Sequence, residues 1–181
     1  PCYLHLYLKA GIDCNEEAKV NAPQSSVFVE DVLQFDSKHP YALFGMAYHY
    51  ETQQKQAQKA IEAYRKFLLF HPNLEVNEQM MEDYQVSVYL DLPTSFKAYL
   101  RIAQTYKDSL QDYEQAILYY YKAQKSAPEH VGFQFRDFAE LIWFYEDNPN
   151  LAMQLIEEGL ALLERKDLPK AHLFSISPLA F

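Results

Sequence analysis

The chain has 181 residues and a formal net charge of −9, with 16 basic and 25 acidic side chains. Proteins that bind nucleic acid or anionic membranes gain affinity from Lys and Arg, so this charge balance disfavours both functions. The sequence has only 4 glycines and no apolar run long enough to cross a bilayer, which favours a protein built from helices and short turns.

Apolar residues recur at helical spacing along most of the chain, and prolines separate the successive segments. Near the end, Leu151, Leu155 and Leu163 fall on one helical stripe. Asp112 and Asn148 are predicted N-caps, because their short side chains can accept hydrogen bonds from the first turn of a helix. In chain order, the predicted helices cover residues 25–37, 40–51, 55–71, 76–89, 95–109, 112–126, 131–146 and 148–165.

Two parts of the chain share one pattern of large, small and aromatic residues over a pair of helices. The small residues allow two helices to approach closely, and the aromatic residues fill the space to the next pair. In residues 96–130 the pattern is carried by Tyr99, Ile102, Ala103, Tyr106, Ala116, Tyr120, Ala123 and Pro128. In residues 38–74 it is carried by Tyr41, Phe44, Gly45, Tyr48, Ala60, Tyr64, Phe67 and Pro72.

The copies differ in detail. Phe67 stands where the pattern has its second small residue, which is expected to widen the local packing. The turn between the helices is about three residues longer than the pattern in the first copy and about one residue longer in the second. A third, weaker copy is carried by Phe138, Leu141, Tyr145, Ala152, Ile156 and Gly159.

The pattern resembles the tetratricopeptide repeat (TPR). The resemblance implies an all-α fold, a TPR-like α-solenoid of antiparallel helix pairs, in a single domain over residues 1–181. The spacing from Ala60 to Ala116 exceeds one repeat by about one helix with its linkers. The expected parts are an N-terminal partial repeat at 1–40, a repeat at 38–74, an inserted helix at 75–94, a repeat at 96–130, a degenerate capping repeat at 131–168 and a tail at 169–181.

In this family the first helix of each repeat lines a concave groove, which receives a peptide or a partner helix. The resemblance therefore implies a protein-protein interaction module that acts as a scaffold, an adaptor or a co-chaperone-like protein. Its partner is expected to be a protein or peptide, with no nucleic acid and no insertion into a membrane. The groove positions carried over from the family are Ala42, Met46, His49, Lys97, Leu100, Arg101, Gln104 and Lys107.

Lys97 and Arg101 lie four residues apart and therefore on one helical face. In co-chaperone members of the family, a Lys and an Arg at these positions hold the terminal carboxylate of a heat-shock chaperone. That clamp also uses a Lys and an Asn on the first helix, where this sequence has Ala42 and Met46, so it is incomplete. The alternative interpretation is that both basic residues are solvated surface side chains.

The C-terminal part is strongly aromatic, and Trp143, Phe144 and Tyr145 stand together. Core packing accounts for many such residues, but an exposed set beside Leu173 and Phe174 would form a patch suited to a homodimer. A self-associating structural subunit is therefore the first alternative function. The apolar tail is expected either to pack back on the last helix or to contact a partner.

Enzymatic motifs are absent from the sequence. The six histidines are scattered, and no His-Glu-x-x-His segment, Cys-x-x-Cys pair, nucleophile elbow or phosphate loop occurs. No catalytic residue, metal or cofactor is expected, and a helical enzyme or small-molecule sensor is the least favoured alternative.

Overall fold

The computed structural model describes residues 24–52, 55–75, 94–128 and 134–165, and all regular elements in these ranges are helices. The predicted inserted helix, the N-terminal residues 1–23 and the tail lie outside the described residues. The helices are α1 Gln24–Phe35, α2 Pro40–Thr52, α3 Ala57–Phe70, α4 Ser95–Gln104 with a π-helical continuation Thr105–Leu110, α5 Tyr113–Ser126, α6 Gln134–Phe144 and α7 Pro149–Arg165.

The helices pack as consecutive pairs, α2 with α3, α4 with α5, and α6 with α7. Each pair contacts the next through its neighbouring helices, since α3 packs on α4 and α5 packs on α6, while α1 covers α2. This order is that of a helical repeat protein, in which each unit buries its apolar face against its neighbours. The predicted all-α repeat fold is confirmed.

The described residues of the turns within the three pairs share two features. Each contains a residue with positive φ, Lys55 at 51°, Gln111 at 54° or Asp147 at 51°. In all three pairs, the first small residue of the repeat pattern on the second helix lies the same number of residues after the positive-φ residue. The residue directly after the positive-φ position donates its N–H back to the first helix, and these bonds are Gln56 to Tyr50 O (2.8 Å), Asp112 to Tyr106 O (3.0 Å) and Asn148 to Ile142 O (3.2 Å).

The predicted caps are confirmed by side-chain bonds to the first turns. Asp112 Oδ1 accepts from the N–H of Gln115, and Asn148 Oδ1 accepts from the N–H of Leu151, both at 3.1 Å. Thr94 does the same for α4, where its hydroxyl accepts from the N–H of Lys97 at 3.1 Å. Each bond satisfies a backbone donor that the helix itself cannot pair, a contribution of about 1 kcal/mol.

The core follows the repeat pattern. The small residues Ala60, Ala103, Ala116 and Ala123 are all fully buried where the helices approach each other. Aromatic side chains fill the space between them, including the ring of Phe44, which meets the rings of two α3 residues edge-on. The centroid distances are 5.2 Å to Tyr64 and 5.5 Å to Phe67.

Candidate functional site

One face of α4 carries most of the predicted groove residues at spacings of three or four residues, from Lys97 to Lys107. The sequence predicted one helix over residues 95–109. In the structure the α-helical part ends at Gln104, and a π-helical segment continues to Leu110. The hydroxyl of Thr105, the first residue of this segment, donates to the carbonyl of Arg101 at 2.8 Å. The sequence assigned about one extra residue to the turn of this repeat, and a π-helical segment accommodates an extra residue within the helix.

Arg101 is held between two repeats. Its guanidinium lies 3.3 Å from the carboxylate of Glu51 on α2 and 4.8 Å from the centroid of the Tyr48 ring. The second oxygen of Glu51 accepts a hydrogen bond from the hydroxyl of Tyr64 at 2.8 Å. The Arg101 and Glu51 side chains are only 14% and 15% exposed. Arg101 therefore joins α4 to the preceding helix pair through a largely buried ion pair.

Lys107 is held in the same way by the following repeat. Its ammonium lies 3.0 Å from the Asp137 carboxylate on α6, whose side chain is 5% exposed. The neighbouring Arg136 donates two bonds to the other oxygen of that carboxylate, at 2.7 and 3.0 Å. Asp137 is thus a buried carboxylate with two cationic partners. These partners compensate the free energy that it costs to remove the charge from water.

The remaining predicted groove residues are mostly buried. Ala42 and Met46 pack with Val29 and Val32 in a cluster under α1, separate from the large core that contains Leu100. His49, Leu100 and Gln104 are between 7% and 9% exposed, whereas Lys97 is partly exposed. The structure therefore brings the α4 residues together along one face but does not bring Ala42 and Met46 to it.

Sequence reasoning missed the carboxylates that position the basic residues. Neither Glu51 nor Asp137 belongs to a sequence motif, because the role of each depends on a contact with another repeat. Arg65 on α3 was missed for the same reason. It donates hydrogen bonds to the hydroxyls of Tyr119 at 2.8 Å and Tyr106 at 2.9 Å, which ties the first pair to the second.

Burial raises the pKa of Glu51 above its ordinary value of 4.5, and the charge of Arg101 and the Tyr64 hydroxyl oppose this shift. Burial and the neighbouring Glu51 carboxylate also raise the pKa of Tyr64 well above 10.0. Tyr64 therefore stays protonated and remains a hydrogen-bond donor to Glu51 at neutral pH.

Glu51→Gln is expected to change how stability depends on pH. Because the pKa of Glu51 is higher in the folded than in the unfolded chain, folding takes up protons at this group. Its contribution to stability is fully present below pH 4.5 and is lost as the pH rises through the folded-state pKa. The stability of the natural protein relative to the variant should therefore rise as the pH falls from about 7 to about 4. Urea unfolding across this range measures it, and an unchanged or opposite slope would contradict the assignment.

Neither metal ligation nor a membrane span is found in the part of the chain that the structure describes. No group of three or more His, Cys, Asp and Glu residues there is placed to hold a metal ion. None of the helices in the described ranges combines the length and apolar character needed to cross a membrane.

Comparison with known proteins gives one family match. Residues 96–130 match the model of the tetratricopeptide repeat, the same span that the sequence pattern predicted. No curated protein matches the sequence. The α4–α5 pair, with its ion pairs to both neighbouring pairs, is therefore the best-supported repeat of the chain.

Solved structures support the fold. The structure titled "MamA MSR-1 C2" is similar with a TM-score of 0.56 and 15% identity, over 91% of this chain and 76% of that chain. "Crystal structure of MamA protein" covers 97% of this chain and 98% of its own at 15% identity, with a TM-score of 0.41. At this low identity the first likeness bears on the fold alone, and the second is too distant in shape to carry an argument.

Proposed function

We propose that this tetratricopeptide-repeat protein binds a peptide or a segment of a partner protein along the α4 face. The repeat family and the helical-repeat fold point to a non-catalytic protein-interaction module. The proposed contact residues are Lys97, Leu100, Arg101, Gln104 and Lys107, with His49 on the neighbouring first helix. Ligand groups would hydrogen-bond to the polar side chains of this face, because its apolar member Leu100 is only 7% exposed.

The observation that carries the proposal is the fixed position of the basic residues on this face. Arg101 is held 3.3 Å from Glu51, and Lys107 is held 3.0 Å from Asp137. Side chains that are already held in place lose less conformational entropy when a ligand binds, which favours affinity.

The same contacts favour an adaptor or scaffold role over a co-chaperone-like carboxylate clamp. A terminal carboxylate would have to compete with Glu51 for Arg101. The two further clamp positions are occupied by Ala42 and Met46, which are buried under α1. We therefore propose a ligand that adds hydrogen bonds to this face and leaves the ion pairs between repeats intact.

Affinity capture from the native cell extract tests the proposal with Lys97→Glu. The matched control is Lys66→Glu, which makes the same charge change at an exposed position on α3. A partner should bind the natural protein and the control but be lost from the Lys97 variant. With the purified partner, we expect affinity to fall at least about tenfold, or about 1.4 kcal/mol. Equal binding by all three proteins, each equally helical by circular dichroism, would exclude the α4 face.

Self-association is the second candidate, because aromatic side chains at the end of α6 are exposed. The exposed fractions are 44% for Trp143, 79% for Phe144 and 53% for Tyr145. Several large apolar side chains that are exposed at one end of a helix are typical of an interface. A molecular mass that stays twice that of the chain on dilution in light scattering would support a homodimer, and a monomer would exclude it.

A further inference from the structure

Arg65 of α3 is a basic residue that contacts hydroxyl groups rather than a carboxylate. Its Nε donates to the hydroxyl of Tyr119 at 2.8 Å, and its Nη2 donates to the hydroxyl of Tyr106 at 2.9 Å. Arg101 and Arg136, by contrast, each lie against a carboxylate. The exposed guanidinium of Arg65 therefore has no negative partner within the described part of the chain.

The two tyrosine hydroxyls are positioned as donors. Each accepts its bond from Arg65, because a guanidinium has N–H donors and no acceptor. Each hydroxyl still has its own proton to donate, and the described residues supply no acceptor for either proton. The rings of Tyr106 and Tyr119 stack with a centroid distance of 5.7 Å and are 7% and 6% exposed, so packing fixes their positions.

A second cation lies beside the same ring. The ammonium of Lys122 on α5 is 4.3 Å from the centroid of the Tyr119 ring, and Cζ of Arg65 is 5.6 Å from it. The acidic residues of α3 and α5 are Glu62 and Glu114, and neither forms an ion pair with these two cations. In a chain with a net charge of −9, this junction of helices is a local excess of positive charge, which attracts anions.

We propose that Arg65, Lys122 and the hydroxyls of Tyr106 and Tyr119 bind a phosphate group. A phosphate monoester carries about 1.5 to 2 negative charges at neutral pH and has three strong acceptor oxygens. It therefore matches two cations and two hydroxyl donors better than a carboxylate, which has one charge and two oxygens. The N–H groups of the guanidinium that the tyrosines do not use can pair with two phosphate oxygens at once.

This site lies on the other side of α4 from the proposed ligand face. Tyr106 is contacted from α3 by Arg65, whereas Arg101 is contacted from α2 by Glu51. Lys97 precedes Tyr106 by about two and a half helical turns, which also places the two residues on opposite sides of the helix. Phosphate binding and peptide binding along the α4 face can therefore fail independently of each other.

Titration of the protein with potassium phosphate at neutral pH, followed by amide NMR spectra, tests the proposal. The signals to follow are the side-chain Nε–H of Arg65 and the backbone amides around Tyr119. They should shift and saturate with a dissociation constant of about 1–10 mM, as expected for a small free anion. Sodium chloride and sodium acetate at the same ionic strength are the controls, and acetate should bind at least about fivefold more weakly.

Two variants each remove one of the charges. Arg65→Gln and Lys122→Gln should each weaken phosphate binding at least about fivefold. The matched control is Lys66→Gln, because Lys66 is an exposed basic residue next to Arg65 on α3, and its binding should stay within about twofold. Lys122 contacts a ring of its own helix, so its variant tests the site even if Arg65→Gln loosens the two helix pairs.

A capped peptide whose only charged residue is a phosphoserine distinguishes the sources of the phosphate group. Binding more than about tenfold tighter than that of inorganic phosphate would assign the site to a phosphorylated protein, and comparable binding would assign it to free phosphate or a small ester. Equal shifts in phosphate, acetate and chloride would overturn the proposal. Phosphate binding by Lys122→Gln that equals that of Lys66→Gln would also overturn it.

Discussion

Arg101→Glu is expected to destabilise the protein by about 3–5 kcal/mol, because it places a second carboxylate against Glu51 in a largely buried site. The ion pair has a separation of 3.3 Å, and the two side chains are 14% and 15% exposed, so water can screen the repulsion only weakly. The guanidinium also lies over the Tyr48 ring, and that contact is lost as well. Urea unfolding at neutral pH measures the change.

The charge-swapped protein, Glu51→Arg with Arg101→Glu, is the control. It restores opposite charges, and the hydroxyl of Tyr64 can accept a hydrogen bond from the guanidinium introduced at position 51 as readily as it donates to the natural carboxylate. The double variant should therefore be more stable than the sum of the two single changes implies. A single variant within about 0.5 kcal/mol of the natural protein would show that the pair contributes little in solution.

This ion pair affects how binding experiments are interpreted. A loss of partner binding in an Arg101 variant would mix a change in recognition with a loosened contact between two repeats. Lys97 is partly exposed and lies one turn earlier on the same face, so its replacement reports on recognition more directly. The structure thereby separates two basic residues that the sequence treated as one pair.

The repeat architecture could be predicted because its signals are local. Helical periodicity, N-caps such as Asp112 and small residues such as Ala116 depend on neighbours in the chain or on one packed helix. The ion pairs could not be predicted, since Glu51 and Asp137 meet their partners across repeat boundaries, where the contact depends on how two pairs are rotated against each other. The π-helical end of α4 was missed because an added residue in a sequence can lengthen either a turn or a helix.

Phe67→Ala is expected to destabilise the protein by about 3–5 kcal/mol, although it restores the small residue that the repeat pattern has at this position. Phe67 is fully buried, and its ring meets that of Phe44 edge-on at 5.5 Å and lies 5.4 Å from that of His71. The rest of the first pair is packed around this ring, so its removal leaves a cavity that the neighbouring side chains fill only in part.

Leu69→Ala on the same helix is the matched control, because Leu69 is 75% exposed and its loss should change stability by no more than about 0.5 kcal/mol. Urea unfolding measures the free energy of unfolding of both variants. An unchanged m-value would show that unfolding still exposes the same surface area. If Phe67→Ala left the free energy of unfolding unchanged, the small residue of the repeat pattern would stabilise this position as well as the buried ring does. The burial of Phe67 argues for the opposite, because a repeat pattern describes an average packing and the cavity is set by the side chains that are present.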